Sequence, residues 1–303
     1  MRAKIILILL LIVTGLAIFY LYPVKRVNLE TLYPDSVFTQ LNQVRQEPVQ
    51  QITASGPTWT YLVTGRGDTT LLFLHGMGGS YDIWFQQISH FKNRYRIISV
   101  EYPPVHSLKD LGSGIVGILD KEAVQRAVVI GSSLGGYLAQ YLTANYPDRV
   151  LMVSLGNTFP PNTEIKEKNA GLIRLLRILP EWLVIGQMRN RYEEEILPAS
   201  GNSPTATAFL LTLLGTKVNK QNLLARYHCV VDYFDTPVPD SIPVQIIESD
   251  NDPLVSSSLR EALKARYPTA RVVTLNAQGH FPYLSHARQY NAILEKFITQ
   301  TND

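Results

Sequence analysis

Cysteine is almost absent: Cys229 is the single thiol in 303 residues. One thiol excludes an internal disulfide and any zinc site built from several thiolates. Charge is scarce as well, 17% of residues being Asp, Glu, Lys or Arg, against roughly 25% in an average soluble domain. The two signs nearly cancel, 28 basic residues against 25 acidic ones, for a formal net charge of +3. That balance offers little to a nucleic-acid partner, which is held by concentrated basic surface. Internal repeats and low-complexity tracts are also missing. What the chain has in quantity is apolar side chain, 46% of the total, which excludes a disordered protein and points to a globular α/β domain with something unusually apolar attached.

The apolar excess begins at once. Ile5 to Val24 is a run of 20 residues without a charge, and at ~1.5 Å per residue such a helix spans the roughly 30 Å of a bilayer core. Tyr20 and Tyr22 stand where an interfacial aromatic belt belongs, and Lys25 and Arg26 follow. Arg2, Lys4 and the α-amine make the N-terminal flank the more positive by one charge, so the positive-inside rule puts the rest of the chain on the extracytoplasmic side. Residues 1–26 are therefore expected to be a membrane anchor. A cleaved signal peptide is the alternative, with Gly15-Leu16-Ala17 as a poor cleavage site and no lipobox cysteine. The anchor carries four bases and no acid, +4; the remainder has 24 bases and 25 acids, −1. Residues 27–51 are polar without clear periodicity and read as a tether to a domain over 52–303.

From about residue 52 strand and helix patterns alternate, which predicts a mostly parallel sheet covered on both faces. Strands are expected at 58–65, 69–76, 95–103, 126–131, 149–157, 242–249 and 270–276, and helices at 82–91, 107–120, 134–145, 257–266 and 283–299. Residues 158–236 break the rhythm with helical patterns only, notably 171–186 and 206–218. This reads as a helical cap inserted into one α/β domain. Leu172, Leu175, Leu176, Leu179 and Leu183 follow helical spacing within it. They form either the cap's own core or an apolar acyl site or membrane-facing roof.

The sharpest chemical signal is Gly131-Ser132-Ser133-Leu134-Gly135, a G-x-S-x-G between a buried strand and an amphipathic helix. A turn that tight strains the serine backbone and lifts its hydroxyl above the sheet, the geometry of a nucleophile. The rival reading is a nucleotide loop. Neither this segment nor HGMGGS at 75–80 supplies the Gly-Lys-Ser/Thr of a phosphate loop, and the strand after it, RVLMVSLGN, ends without the acid a ribose would need. Acyl transfer also needs two N–H donors for an oxyanion; Leu134, after the serine, and Met77, in the glycine-rich loop after the 69–76 strand, fit. His75 in that loop reads as structural. Among the six histidines, His280 alone lies in a loop after a late strand, on the carboxyl edge where Ser133 must be. For the acid that orients it, IIESDNDPLV offers Glu248, Asp250 and Asp252; Asp252 is favoured and Asp250 is its rival. The order Ser133, Asp252, His280 is that of a nucleophile–acid–histidine hydrolase, whose chemistry needs no metal or organic cofactor.

On these residues the chain from about 52 to 300 resembles the α/β-hydrolases. YRIISVEYP, the G-x-S-L-G-G-Y-L-A-Q segment, LGNTF and HFPYL resemble the maspardin-like subfamily more closely. The family resemblance implies an α/β-hydrolase fold and serine hydrolysis of a carboxylic ester or lipid-like small molecule. Carbon–carbon bond and amide cleavage share the same triad and stay open. Dehalogenases and epoxide hydrolases use an aspartate where this elbow carries serine. The subfamily resemblance implies another class, a binding protein on an idle hydrolase fold, which the N-terminal helix of this chain would tether to a membrane; the animal relative carries asparagine where His280 stands, so the histidine here favours activity.

Overall fold

A computed structural model describes residues 2–54 and 56–300. Met1 with its α-amine, the side chain of Arg2 and residues 301–303 of the expected domain lie outside the described residues. Eight strands form one sheet in the order β1-β2-β4-β3-β5-β6-β7-β8. They are β1 (Val49–Thr53), β2 (Thr58–Gly65), β3 (Thr70–Leu74), β4 (Arg96–Glu101), β5 (Ala127–Ser132), β6 (Val150–Gly156), β7 (Val244–Ser249) and β8 (Arg271–Leu275). β2 runs antiparallel to β1 and β4, and the remaining neighbours pair parallel. All residues of β3 and β5 are buried, as continuous apolar runs require when both faces are covered.

Alternation along β3 shows how the two faces divide. Leu71 and Phe73 pack with Leu41, Ile88 and Leu294, whereas Leu72 and Leu74 pack with Ile115, Leu138 and Leu263. The first layer is made by α2 (Asp35–Gln46), α3 (Phe85–Phe91, after a 3-10 turn at Tyr81–Trp84) and α13 (Ala287–Gln300). The second is made by α4 (Leu108–Lys121), α5 (Leu134–Asn145) and α11 (Ser257–Arg266). Short α12 (Pro282–Ser285) precedes α13, with the break at His286.

Residues 27–51 are not a plain tether. α2 buries Leu41 and Val44 completely, its Arg45 pairs with buried Asp82 at 2.7 Å, and β1 is the antiparallel edge of the sheet. Two buried apolar residues in a twelve-residue helix, and an edge strand reading VQQIT with mostly exposed side chains, are too sparse to show as periodicity.

Between β6 and β7 lie α6 (Glu164–Ile178), α7 (Glu181–Arg191), a π-helical turn at Tyr192–Ile196 leading into α8 (Leu197–Ala199), α9 (Pro204–Leu213) and α10 (Lys220–Val230). The 171–186 pattern is two helices, because Pro180 has no N–H to continue α6 and instead heads α7. The leucine stripe splits too: Leu176 and Leu179 pack on the core, while Leu172 and Leu175 stay exposed. Ahead of the domain stands α1 (Arg2–Leu21), of which Ala3–Leu21 is long and apolar enough to cross a membrane and buries nothing inside the protein.

Candidate active site

The parallel strands β5, β6, β7 and β8 are consecutive in the sheet, so their carboxyl ends line one edge at ~4.8 Å intervals. Ser133 is one residue past β5, Asn157 one past β6, Asp252 three past β7 and His280 five past β8. Topology alone brings these four loops together.

Ser133 has φ 56° and ψ −123°, backbone that a non-glycine residue rarely adopts. Three contacts hold it. Its N–H donates to the Gly156 carbonyl (2.9 Å), and its carbonyl accepts from the Tyr137 N–H (3.0 Å) and the Thr158 hydroxyl (2.7 Å). The flanking glycines are required by space: a Cβ at Gly131 would strike the Gly135 carbonyl, and one at Gly135 would strike that of Leu74. The serine itself is half-buried. Leu134 heads α5, where a backbone N–H has no intrahelical partner.

His280 and Asp252 form a buried pair. Nδ1–H of His280 donates to both Asp252 oxygens, at 2.9 and 2.7 Å, since a carboxylate only accepts. Burial, the largest single influence, pushes the Asp252 carboxyl up, but the His280 charge together with hydrogen bonds from His280, Asn157 and the Leu254 N–H outweighs it, so the carboxyl ends below its ordinary value. Asp250 is occupied elsewhere: it accepts from the Ala277 N–H (2.8 Å) and shapes the loop that carries His280. Glu248 accepts from Lys264 and Thr274. Among the described residues no hydrogen bond joins the Ser133 hydroxyl to His280; the two share the sheet edge.

Two residues that the sequence reading did not single out complete the arrangement. Asn157 donates Nδ2–H to Asp252 (2.9 Å) and to the Gly279 carbonyl (3.1 Å), while its N–H holds the Ile247 carbonyl (2.8 Å). It thus ties the acid to the histidine loop from the residue next to Gly156, the anchor of Ser133. A clue was available in LGNTF: asparagine tolerates the positive φ (40°) found there. The second is Arg226, on α10 of the cap, whose guanidinium is buried (2% exposed). It donates to the carbonyls of Met77 (2.8 Å) and Gly79 (2.9 Å) and pairs with Glu101 at 3.0 Å. No sequence signal marks this arginine, because its partners lie about 125 and 150 residues away.

Arg226 thereby fixes the loop from His75 to Ser80. Within it Gly76 abuts the Ser133 side chain, and Gly78 lies under the Tyr192 hydroxyl. His75 is fully buried, stacks on Tyr102 at 4.0 Å and donates Nδ1–H to the Gly76 carbonyl (2.7 Å). Burial, and then the nearby Arg226 charge, push its pKa well below the ordinary histidine value. It is a neutral structural group in this loop. Of the other histidines, His90 faces Glu295, His228 accepts from Arg177 and His286 meets Ser285.

Comparison with known proteins agrees with this architecture. The chain is 24% identical to maspardin of Danio rerio over 235 residues, 76% of this chain and 74% of the relative. It is 26% identical to a 2-hydroxy-6-oxononadienedioate/2-hydroxy-6-oxononatrienedioate hydrolase of Paraburkholderia phymatum over 265 residues, 79% of this chain and 90% of that one. A hydrolase from Pseudomonas aeruginosa superposes with a TM-score of 0.72 at 20% identity, covering 84% of this chain and 99% of the other. Residues 71–293 match the alpha/beta hydrolase family as a whole; with its mostly parallel sheet, its serine turn and its inserted helices, the chain belongs to that family.

Proposed function

We propose that the chain is a membrane-anchored serine hydrolase in which Ser133, His280 and Asp252 act as one triad. Ser133 Oγ attacks the carbonyl carbon of an ester while His280 Nε2 takes its proton, and Asp252 holds the imidazole in the required tautomer. The oxyanion accepts from the Leu134 and Met77 N–H groups. His280 returns the proton to the leaving alcohol, and an acyl-enzyme remains. Water, deprotonated by His280, attacks the acyl carbon and releases the acid, restoring Ser133. The observation that carries this reading is the buried His280–Asp252 pair, with its depressed carboxyl, on the same sheet edge as the strained serine.

The substrate class supported best is a carboxylic ester or lipid-like small molecule, given an apolar cap over the sheet edge. The similarity to the 2-hydroxy-6-oxononadienedioate hydrolase supports a second substrate class, cleaved at a carbon–carbon bond by the same triad. α1 serves as the anchor, with the domain on the extracytoplasmic side. A fluorophosphonate probe is expected to label the wild-type protein and not Ser133→Ala. Folded protein that neither takes the label nor turns over short p-nitrophenyl esters overturns the enzyme reading and leaves a binding protein. Retention in carbonate-washed membranes, lost on removal of residues 1–26, tests the anchor.

A further inference from the structure

The last turn of α1 is fastened to the cap. The Tyr20 hydroxyl donates to the Ile178 carbonyl (2.9 Å), and Trp182 Nε1–H donates to the Phe19 carbonyl (2.8 Å). The Trp182 ring meets Phe19 and Tyr22 edge-on at 5.7 and 5.6 Å, and Arg189 donates to the Lys25 carbonyl (2.9 Å). Tyrosine and tryptophan concentrated at one end of an apolar helix occupy the headgroup level of a bilayer. The elbow between α6 and α7 is therefore placed at that level by its own hydrogen bonds.

From this elbow α6 carries an uncovered apolar stripe. Ile178, Leu175 and Leu172 are 65%, 48% and 49% exposed, each about one turn from the next, and none of the fifteen residues of α6 is buried. At ~1.5 Å per residue the whole stripe lies within ~9 Å of Ile178 along the axis. Exposed Arg174 flanks the stripe and exposed Arg177 follows it while donating to His228 of α10; Lys168 is paired with Glu164 and lies with Glu167 in the first turns, at the end away from the anchor. Apolar residues with basic neighbours are the composition of a helix lying in an interface rich in anionic headgroups.

We propose that the outer face of α6 rests in the lipid leaflet from which α1 emerges, making the cap a second membrane contact. The proposal depends on α1 being a membrane anchor and is independent of the triad. Its occupant is the bilayer surface itself, specified by continuity with α1 and by the basic residues along the stripe.

The native thiol makes a clean test possible. Cys229 is buried, 1% exposed, so thiol-reactive NBD added to full-length Leu175→Cys labels the new position selectively; unchanged wild-type chain is the blank. Lys296→Cys, at an exposed position of α13, is the control. Each protein is reconstituted into vesicles of phosphatidylcholine with a minority of phosphatidylglycerol, with or without lipids brominated near the headgroup end of the acyl chain. The expected result is loss of NBD emission at 175 in brominated vesicles and no loss at 296. Equal emission at the two positions overturns the proposal. So does a blue-shifted but unquenched label at 175, which would mean that a second copy of the chain covers the stripe. Carbonate extraction of the same vesicles separates the two readings. Release of the protein overturns the anchor and this contact together, whereas retention with an unquenched label overturns the contact alone.

Discussion

Helices α5 and α6 each follow a strand, β5 and β6, and each looks amphipathic in sequence, yet they end in opposite surroundings. In α5 every residue but Tyr141 and Asn145 is buried; in α6 none is. α5 lies against the sheet on one side and beneath α4 and α10 on the other, so its first N–H and the serine before it are held in place from all directions. α6 has left the sheet edge and touches the rest of the protein through partly buried residues such as Ile165 and Leu176. In the proposed function the difference separates two tasks: a fixed edge that sets atoms for chemistry, and an outer surface left uncovered by the rest of the protein. Burial, more than helical pattern, distinguishes them.

The largest expected effect is on the fixed edge. Asp252→Asn should lower kcat/KM by ~10³–10⁴-fold by spoiling the imidazole tautomer, while Asp250→Asn, whose amide oxygen still accepts from Ala277, should leave ester turnover nearly unchanged. The same variant has a pH signature. Asp252 is depressed below its ordinary 3.8 in the folded protein, so its contribution to stability is complete above that value. It is lost as the pH falls from there through the lower folded value. Denaturant unfolding against pH should show this acid step in the wild type and not in Asp252→Asn.

Arg226 crosses the division, since it belongs to the cap and serves the edge. Arg226→Met should destabilise the protein by ~3 kcal/mol, because it leaves the largely buried Glu101 with only the more distant Lys217 (3.8 Å) and the Tyr81 N–H. It should also lower kcat more than it raises KM by releasing the Met77 and Gly79 carbonyls. The double variant Arg226→Met/Glu101→Gln is expected to regain stability and not kcat. Recovery of both would reduce Arg226 to a packing residue and redraw the boundary.

The smallest effects test the contrast directly. Leu138→Ala, at a fully buried site in α5, should cost ~2–5 kcal/mol on denaturant unfolding of the full chain in detergent. Leu175→Ala should stay within ~0.5 kcal/mol. Similar losses at both would mean that α6 packs more tightly than its exposure implies.

The boundaries of β2, α5 and α11 follow from local pattern, because strand alternation, a capping serine and a halting proline act over a few residues. The serine turn was legible for the same reason, its constraints all lying within five positions. α2 and β1 were not, since they expose most of their side chains and draw their order from the elements they pack against. The choice between Asp250 and Asp252 stayed open for a related reason: both follow β7 within three residues, and only the fold of the 276–280 loop shows that one meets Ala277 and the other His280. Asn157 and Arg226 act on groups up to about 150 residues away, and no spacing rule reaches so far.

By itself the sequence determined the α/β-hydrolase fold, the apolar N-terminal helix, the strained turn at Ser133 and the order in which Asp252 and His280 follow, since each is written in contiguous residues whose preferences agree. Tertiary structure alone decided which acid holds the histidine, which arginine fixes the glycine-rich loop, and which leucines of the cap stay uncovered. Those outcomes depend on what lies opposite a residue once the chain has closed, and burial and partnership across more than a hundred residues are properties of the packed chain.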